Sequence, residues 1–189
     1  MSLLTSRLFV ISGPSGAGKG TLVARVRDQL PSLGLTVSAT TRTPRAGEVD
    51  GVSYYFLTPE EFQRRVDAGD FLEWAHVHGN SYGTLVREVD SKLACGTSLI
   101  LEIDVQGALQ VKERFPDAVL IFIMPPSLRV MRERLAARGT ETPETIELRL
   151  ANAQGELALS DRYDEVVVND DLDEATSELV RIIRTYERS

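Results

Sequence analysis

The chain has 189 residues, of which 42% are hydrophobic and 26% charged, so its composition is that of a globular domain and excludes a disordered or fibrous protein. Its net charge is −7, whereas proteins that bind duplex nucleic acid usually have a basic surface. We therefore expect no nucleic-acid partner. Neither a signal peptide nor an apolar run long enough to span a bilayer is evident, so we expect a cytoplasmic protein without a membrane partner.

Short apolar runs alternate with segments of helical periodicity along most of the chain. The runs predict buried strands at residues 8–11, 99–104, 119–124 and 166–168. Helices are predicted between the first glycine-rich turn and Pro31, at 106–115, 127–138 and 143–160, and in the tail from Asp173. Because strands alternate with helices, we predict an α/β fold with a parallel sheet covered on both faces.

Two stretches interrupt this alternation. Residues 36–94 are richer in Thr, Tyr, Gly and Pro, and contain short strand-like pieces and two helices, one of which begins at the capping box that Thr58 opens. A second, polar stretch at 138–142 lies between two predicted helices. We predict one domain, residues 1–189, that consists of a core (1–35, 95–132 and 157–189), an inserted flap (36–94) and a helical lid (133–156).

A glycine-rich turn between the first strand and the first helix has the spacing of a phosphate-binding loop, G-x-x-x-x-G-K. It consists of Gly13, Pro14, Ser15, Gly16, Ala17, Gly18 and Lys19. Glycines let successive N–H groups point at an anion, the helix N-terminus adds partial positive charge, and the lysine supplies a point charge for the β- and γ-phosphates. The next position, which often carries a magnesium-binding hydroxyl, is Gly20, and Thr21 follows. We therefore expect phosphates and water to hold most of the magnesium shell.

A second candidate phosphate site contains Arg42 and Arg45, which lie three residues apart in a polar, proline-containing segment. Guanidinium groups bind phosphate oxygens in pairs, and the hydroxyls of Tyr54 and Tyr82 can donate to the same phosphate. From these residues alone, two solvated surface arginines are the alternative.

The motifs of the whole chain, in order and spacing, resemble those of the guanylate kinase family. They are Gly13 to Lys19, Ser38 to Gly47, Glu73 to Ala75, Gly79 to Thr84, Asp104 to Gly107, Arg138 to Glu141 and Val168 to Asp171. The resemblance implies a P-loop NTPase-type, three-layer α/β/α fold in which the flap binds GMP. It also implies transfer of the γ-phosphoryl group of ATP to GMP, and to dGMP, with Mg²⁺ as cofactor.

The same resemblance implies a role for each matching residue. The GMP phosphate is assigned to Arg42, Arg45, Tyr54 and Tyr82, and the guanine base to Ser38, Glu73, Thr84 and Asp104. ATP is assigned to residues 13–21 and Asn169, and the catalytic set is Lys19, Arg42, Arg134, Arg138 and Arg149. Glu102 stands where other members often have Asp, so either Glu102 or Asp104 is expected to assist magnesium through water.

The chemistry of guanine agrees with this assignment. Guanine presents two donors, N1–H and the N2 amine, on one edge, and an ionised carboxylate is a pure acceptor, so Glu73 and Asp104 suit guanine and disfavour adenine. The acceptor phosphate is ionised near neutral pH, because its second pKa is about 6, so no general base is needed. Asp104 could equally be a magnesium-assisting acid, and the lid arginines could instead be paired with Glu133, Glu144 and Glu147 on an exposed helix.

Three alternative functions remain open at this point. They are a protein-binding module with a kinase-like fold, a P-loop switch GTPase, and a kinase for AMP or a pyrimidine nucleotide. Gly20 and the lack of an Asn-Lys-x-Asp motif disfavour the GTPase, and an intact phosphate loop disfavours the binding module. We expect Cys95 to be a buried small hydrophobic residue and His76 and His78 to be structural or surface residues.

Overall fold

The computed structural model describes residues 5–77, 79–137 and 142–188, which form nine strands in two sheets and seven α-helices. The strands are β1 (Leu8–Ser12), β2 (Gly34–Leu35), β3 (Ala39–Thr40), β4 (Tyr55–Phe56), β5 (Phe71–Val77), β6 (Asn80–Leu85), β7 (Leu99–Glu102), β8 (Val119–Met124) and β9 (Glu165–Val168). The helices are α1 (Lys19–Gln29), α2 (Pro59–Asp67), α3 (Val86–Ala94), α4 (Val105–Arg114), α5 (Leu128–Ala137), α6 (Pro143–Leu157) and α7 (Leu172–Tyr186). Within these ranges, no helix has the length and hydropathy needed to cross a membrane.

The larger sheet is parallel and has the strand order β2-β7-β1-β8-β9. All five residues of β1 are buried, because helices cover both faces of this strand. Phe9 and Ile11 pack with residues of α1 and α7 on one face, while Leu8 and Val10 pack with residues of α4 on the other. The chain leaves β1 and β7 at the same edge of the sheet, where a crevice for ligands forms in such folds.

Two further hydrophobic clusters lie outside the main core. The smaller sheet, ordered β4-β3-β6-β5, packs on α2 through Ala39, Phe62, Phe71 and Leu85, and the Phe62 and Phe71 rings stack at 4.4 Å between centroids. Helices α5 and α6 share a cluster of their own, made of Met131, Leu135, Ile146, Leu150 and Ala153. These clusters agree with a core, a flap and a lid, and that division stays a prediction.

The predicted α/β fold is confirmed, and each apolar run forms a strand, although β7 ends at Glu102. The prediction that 166–168 is buried is wrong for Val166 and Val168, which are exposed because β9 is the edge strand of the larger sheet. Two strands, β2 and β3, were not predicted, because segments of two residues are too short to show a period. The prediction for Cys95 is wrong: this side chain is exposed, because Gly96 follows with a φ of 78° and the chain turns away at the surface end of α3.

Candidate active site

The phosphate loop between β1 and α1 has a backbone that only glycine accommodates. Gly13, Gly16 and Gly18 have φ values of 139°, 90° and 92°. A Cβ at Gly13 would lie 2.3 Å from the carbonyl oxygen of Ile123, and one at Gly18 would lie 2.4 Å from Asn169 Nδ2. The loop is therefore fixed by β8 on one side and by the end of β9 on the other.

Lys19 and Asn169 hold this loop from within. Lys19 Nζ donates to the carbonyl oxygens of Gly13, at 2.6 Å, and Pro14, at 3.2 Å. Asn169 is buried, and its Nδ2 donates to the carbonyl oxygen of Ala17 at 2.7 Å. The ammonium group thus already lies over the loop in which a triphosphate would bind.

Two of the three predicted lid arginines reach the loop. Arg149 Nη1 donates to Ser15 Oγ, and Arg134 Nη2 donates to the carbonyl oxygen of Asn169 at 2.9 Å. Arg134 Nη1 is buried and has no hydrogen-bond partner among the described residues, so it is a donor that an incoming phosphate oxygen can satisfy. Arg138 lies outside the described residues.

The carboxylates near these arginines in sequence have other partners. Glu133 pairs with Arg129 at 2.7 Å, and Glu147 pairs with Arg132. Glu133 and Glu147 thus pair with Arg129 and Arg132, whereas Arg134 donates to Asn169 and Arg149 to Ser15.

A cavity of about 260 Å³ adjoins the loop. Its lining residues are Gly16, Gly18, Thr21, Arg134, Asn169 and Leu172. Leu172 was not predicted as a site residue, because an apolar first residue of a helix carries no local signal of ligand contact. One apolar and several polar walls suit a purine base.

A second cavity, of about 220 Å³, lies where the smaller sheet faces the end of β7. Its lining brings together five of the predicted acceptor-site residues, namely Ser38, Tyr54, Glu73, Tyr82 and Asp104. These residues come from separate segments, because β3, β5 and β6 are neighbours in the smaller sheet and Asp104 begins α4.

The carboxylate of Glu73 is the buried polar group of this cavity. Its residue is 7% exposed, and Thr84 Oγ1 donates to Glu73 Oε1 at 2.7 Å. Burial raises the pKa of Glu73 to about 7, the negative charge of Asp104 adds to the increase, and the hydrogen bonds from Thr84 oppose it. Asp104 itself caps α4, accepting the Gly107 N–H at 2.7 Å.

Arg42 is held by a residue that was not predicted to have a role. Arg42 Nη2 donates to both carboxylate oxygens of Glu48, at 2.8 and 3.0 Å, and its guanidinium carbon lies 5.5 Å from the centre of the Tyr54 ring. Glu48 also accepts the backbone N–H of Arg45 at 2.7 Å. The hydrogen bonds from Arg42 and then from Arg45 lower the pKa of Glu48. The side chain of Arg45 is exposed.

Glu102 lies between the second cavity and the first turn of α1. This residue lines the second cavity, and its Oε1 lies 3.5 Å from the position that a Cβ at Gly20 would take. Although Glu102 is solvent-accessible, the surrounding protein raises the pKa of its carboxyl, and Lys19 acts in the opposite direction. The carboxylate of Glu102 therefore lies within van der Waals distance of a side chain placed at Gly20.

A family model described as guanylate kinase matches residues 5–186. The chain belongs to the guanylate kinase family. A guanylate kinase of Gloeobacter violaceus is 56% identical over 178 residues, which cover 94% of this chain and 87% of that protein. One of a Synechocystis strain is 52% identical over 177 residues, which cover 94% of this chain and 93% of that protein. The crystal structure of guanylate kinase from Anaplasma phagocytophilum, 34% identical, superposes with a TM-score of 0.76 and covers 100% of this chain and 90% of that one.

The two histidines of the chain lie near the acceptor cavity in sequence. His76 is exposed on β5, and its Nδ1 lies 3.2 Å from Ser81 Oγ, so it has a surface position. His78 lies outside the described residues. The described part of the chain contains no cluster of three or more His, Cys, Asp or Glu side chains arranged to bind a metal ion.

The Glu48→Gln variant is expected to raise the KM for GMP about tenfold, with kcat changed less than threefold. The amide of glutamine is uncharged and replaces one carboxylate oxygen with an N–H₂ donor. It therefore loses the ion pair with Arg42 and cannot accept Arg42 Nη2 on two oxygens, so the guanidinium group of Arg42 is held less firmly. Steady-state kinetics with GMP varied at saturating ATP measures this change. Glu113→Gln, an exposed substitution on α4, is the matched control, and equal KM values in the two variants would contradict the prediction.

Proposed function

We propose that this chain transfers the γ-phosphoryl group of ATP to GMP, giving ADP and GDP. The observation that carries the proposal is the single cavity in which the buried carboxylate of Glu73 faces Asp104, beside an intact phosphate loop. Two carboxylates in one cavity match the two donors on the guanine edge and would leave adenine N1 without a donor.

The acceptor half of the reaction needs orientation and no general base. Tyr54 and Tyr82 line the cavity, and Arg42 lies against the Tyr54 ring, so these side chains can bind the GMP phosphate on the side away from Glu73. Arg45 is proposed as a further ligand of that phosphate. Because the phosphate oxygen is already ionised, the enzyme has only to align it with the γ-phosphorus.

The donor half of the reaction needs neutralisation of charge. Lys19, Arg134 and Arg149 surround the loop, and Asn169 and Leu172 offer a surface for adenine. As the phosphoryl group moves, these cations stabilise the charge on its equatorial oxygens. The proposed transfer is direct and in line, without a covalent enzyme intermediate.

Two carboxylates near the first turn of α1 fit a magnesium ion. Glu102 and Asp104 line the acceptor cavity and offer carboxylate oxygens, the ligand type that Mg²⁺ prefers, and Glu102 lies beside Gly20. Asp104 already accepts the Gly107 N–H, so we assign the assisting role to Glu102, acting through water. Magnesium bound with ATP would neutralise phosphate charge and orient the γ-phosphate.

An ADP-release assay across GMP, dGMP, AMP, UMP and TMP tests the proposal. We expect turnover with GMP and dGMP, and kcat/KM values at least a thousandfold lower with the others, because their bases lack the two adjacent donors that would pair with both carboxylates. Adenine has an acceptor at N1, and uracil and thymine place a single N3–H between two carbonyl acceptors. ATP hydrolysis without acceptor should be far slower than transfer, because the flap and lid then stay open. GMP binding without turnover would favour a binding module, and preference for another nucleotide would contradict the proposal.

A further inference from the structure

A buried carboxylate lies where the chain passes between the two sheets. Residues 36–38 lead from β2 of the larger sheet to β3 of the smaller one, and α3 leads back from β6 to β7. Glu88, on α3, is 8% exposed, although glutamate is seldom buried unless it is paired. It is not among the residues that face either cavity.

The carboxylate of Glu88 joins both connections. Oε1 accepts the backbone N–H of Val37 at 3.2 Å and lies 2.5 Å from Lys92 Nζ, and Oε2 accepts the hydroxyl of Tyr55 at 3.0 Å. Lys92 Nζ also donates to the carbonyl oxygen of Leu35 at 2.7 Å. One ion pair on α3 therefore binds the last residue of β2, the connection to β3, and a side chain of β4.

Each residue that Glu88 holds is next to a residue of the GMP site. Val37 precedes Ser38, and Tyr55 follows Tyr54, and both Ser38 and Tyr54 line the acceptor cavity. The Tyr55 N–H donates to the carbonyl oxygen of Ser38 at 2.9 Å, so the two segments are also bonded to each other. A displacement of either segment would therefore move both Ser38, which is assigned to the guanine base, and Tyr54, which is assigned to the GMP phosphate.

The electrostatics keep this carboxylate charged. Burial by itself would raise the pKa of Glu88, but the hydrogen bonds from Lys92, Val37 and Tyr55 outweigh it and lower the pKa below the ordinary value. Burial and the Glu88 carboxylate raise the pKa of Tyr55, so its hydroxyl stays protonated as a donor. The contacts of Glu88 are thus constant across the pH range in which the enzyme would work.

We propose that Glu88 is a positioning residue for the GMP site, acting through Val37 and Tyr55 without touching a nucleotide. This inference rests on the proposed function, since it assigns Glu88 to the acceptor half of that reaction. It sets the angle at which the flap presents Ser38 and Tyr54 to GMP. The role is separate from phosphoryl transfer, because the described partners of Glu88 include no residue of the phosphate loop.

The test compares the KM for GMP with the KM for ATP and with kcat in two variants, Glu88→Gln and Tyr55→Phe. Gln is uncharged and has one acceptor oxygen, so it loses the ion pair with Lys92. It also places an amide N–H₂ either against Tyr55 or against Val37 and Lys92, so we expect the KM for GMP to rise about tenfold. Tyr55→Phe removes one donor and keeps the ring, so a rise of about threefold is expected. The KM for ATP, and kcat at saturating GMP, should change less than twofold in both. The control is Glu113→Gln on the exposed side of α4.

A double variant and a thermal melt distinguish positioning from simple stabilisation. If both side chains act through one contact, the combined effect on the KM for GMP will be smaller than the product of the single effects. A lower Tm with an unchanged KM for GMP, or a fall in kcat alone, would overturn the inference. If Glu88→Gln does not fold, Tyr55→Phe decides the question by itself. Failure of the proposed function would be seen separately, as a lack of ADP release from the unmodified chain with GMP.

Discussion

Replacing Lys19 with methionine is expected to lower kcat about a hundred- to thousandfold and to leave the Kd for GMP within about threefold. In the structure Lys19 Nζ donates to the carbonyl oxygens of Gly13 and Pro14, and these bonds hold the ammonium over the phosphate loop. When a triphosphate binds, its oxygens can take over these donors. Removing one preorganised charge from a developing anion costs about 3–4 kcal/mol of transition-state stabilisation.

The position of Lys19 explains why its replacement should lower kcat and leave GMP binding nearly unchanged. It is the first residue of α1, on the donor side of Glu102, whereas GMP is assigned to the cavity on the other side. We expect the loop to keep its conformation without the Lys19 bonds to Gly13 and Pro14, because three glycines with positive φ and the Asn169 bond to Ala17 still constrain it. A stable protein with nearly normal GMP binding and little transfer is therefore the expected phenotype.

Steady-state kinetics and calorimetric GMP titration together measure the Lys19→Met prediction. Lys112→Met is the control, since Lys112 pairs with Asp164 outside both cavities. A kcat within tenfold of the unmodified enzyme would mean that the lid arginines and magnesium carry the charge neutralisation without this lysine. Loss of GMP affinity along with kcat would mean that the two cavities are not independent.

The donor half of the site was predictable because its signal is local. Glycines, a lysine and a following helix lie within one short segment, and the steric reasons for Gly13 and Gly18 agree with the spacing that predicted the loop. The caps of α2 and α6 were predictable for the same reason: Thr58 and Thr142 accept the N–H groups of residues three positions later.

The pairing of charged residues was not predictable, because it depends on contacts between distant segments. Glu133 and Glu147 are closer in sequence to the lid arginines than to their actual partners, Arg129 and Arg132. Glu88 contacts Val37, 51 residues away, and nothing in the periodicity of α3 indicates that a glutamate faces inward there. Local sequence patterns therefore predict the helices, the strands and the phosphate loop. Which charged side chains pair depends on tertiary packing, which these patterns do not predict.

Burial of Glu73 connects stability with the choice of base. An ionised carboxylate is the better acceptor for guanine, yet the cavity raises the pKa of Glu73 from 4.5 to about 7 before any nucleotide binds. The folded protein therefore bears a cost at high pH for a group that the proposed binding of guanine requires in its charged form. Such a trade between stability and function is common at binding sites.

Glu73→Gln is accordingly expected to make the protein more stable at pH 8 and to lower kcat/KM for GMP at least a hundredfold. The pKa in the folded state lies above the ordinary value, so the stability from this group is full below about pH 4.5 and is lost as pH rises through 7. A shift from 4.5 to about 7 corresponds to at most about 3 kcal/mol at pH 8, because one pKa unit is worth about 1.4 kcal/mol. Glutamine does not titrate, and its carbonyl can still accept the Thr84 hydroxyl, so it escapes this loss.

Urea unfolding of both proteins between pH 5 and 8.5 measures the difference. The free energies of unfolding should converge near pH 5 and separate as pH rises, with the variant the more stable. GMP binding by the unmodified protein should reduce the separation, because guanine donors satisfy the charged carboxylate in place of water. Thr84→Val serves as the comparison: it removes a hydrogen bond from Glu73 and should raise the pKa further, steepening the loss of stability with pH. Parallel curves for Glu73→Gln and the unmodified protein would show that Glu73 is ionised at no cost, which the buried position of its carboxylate argues against.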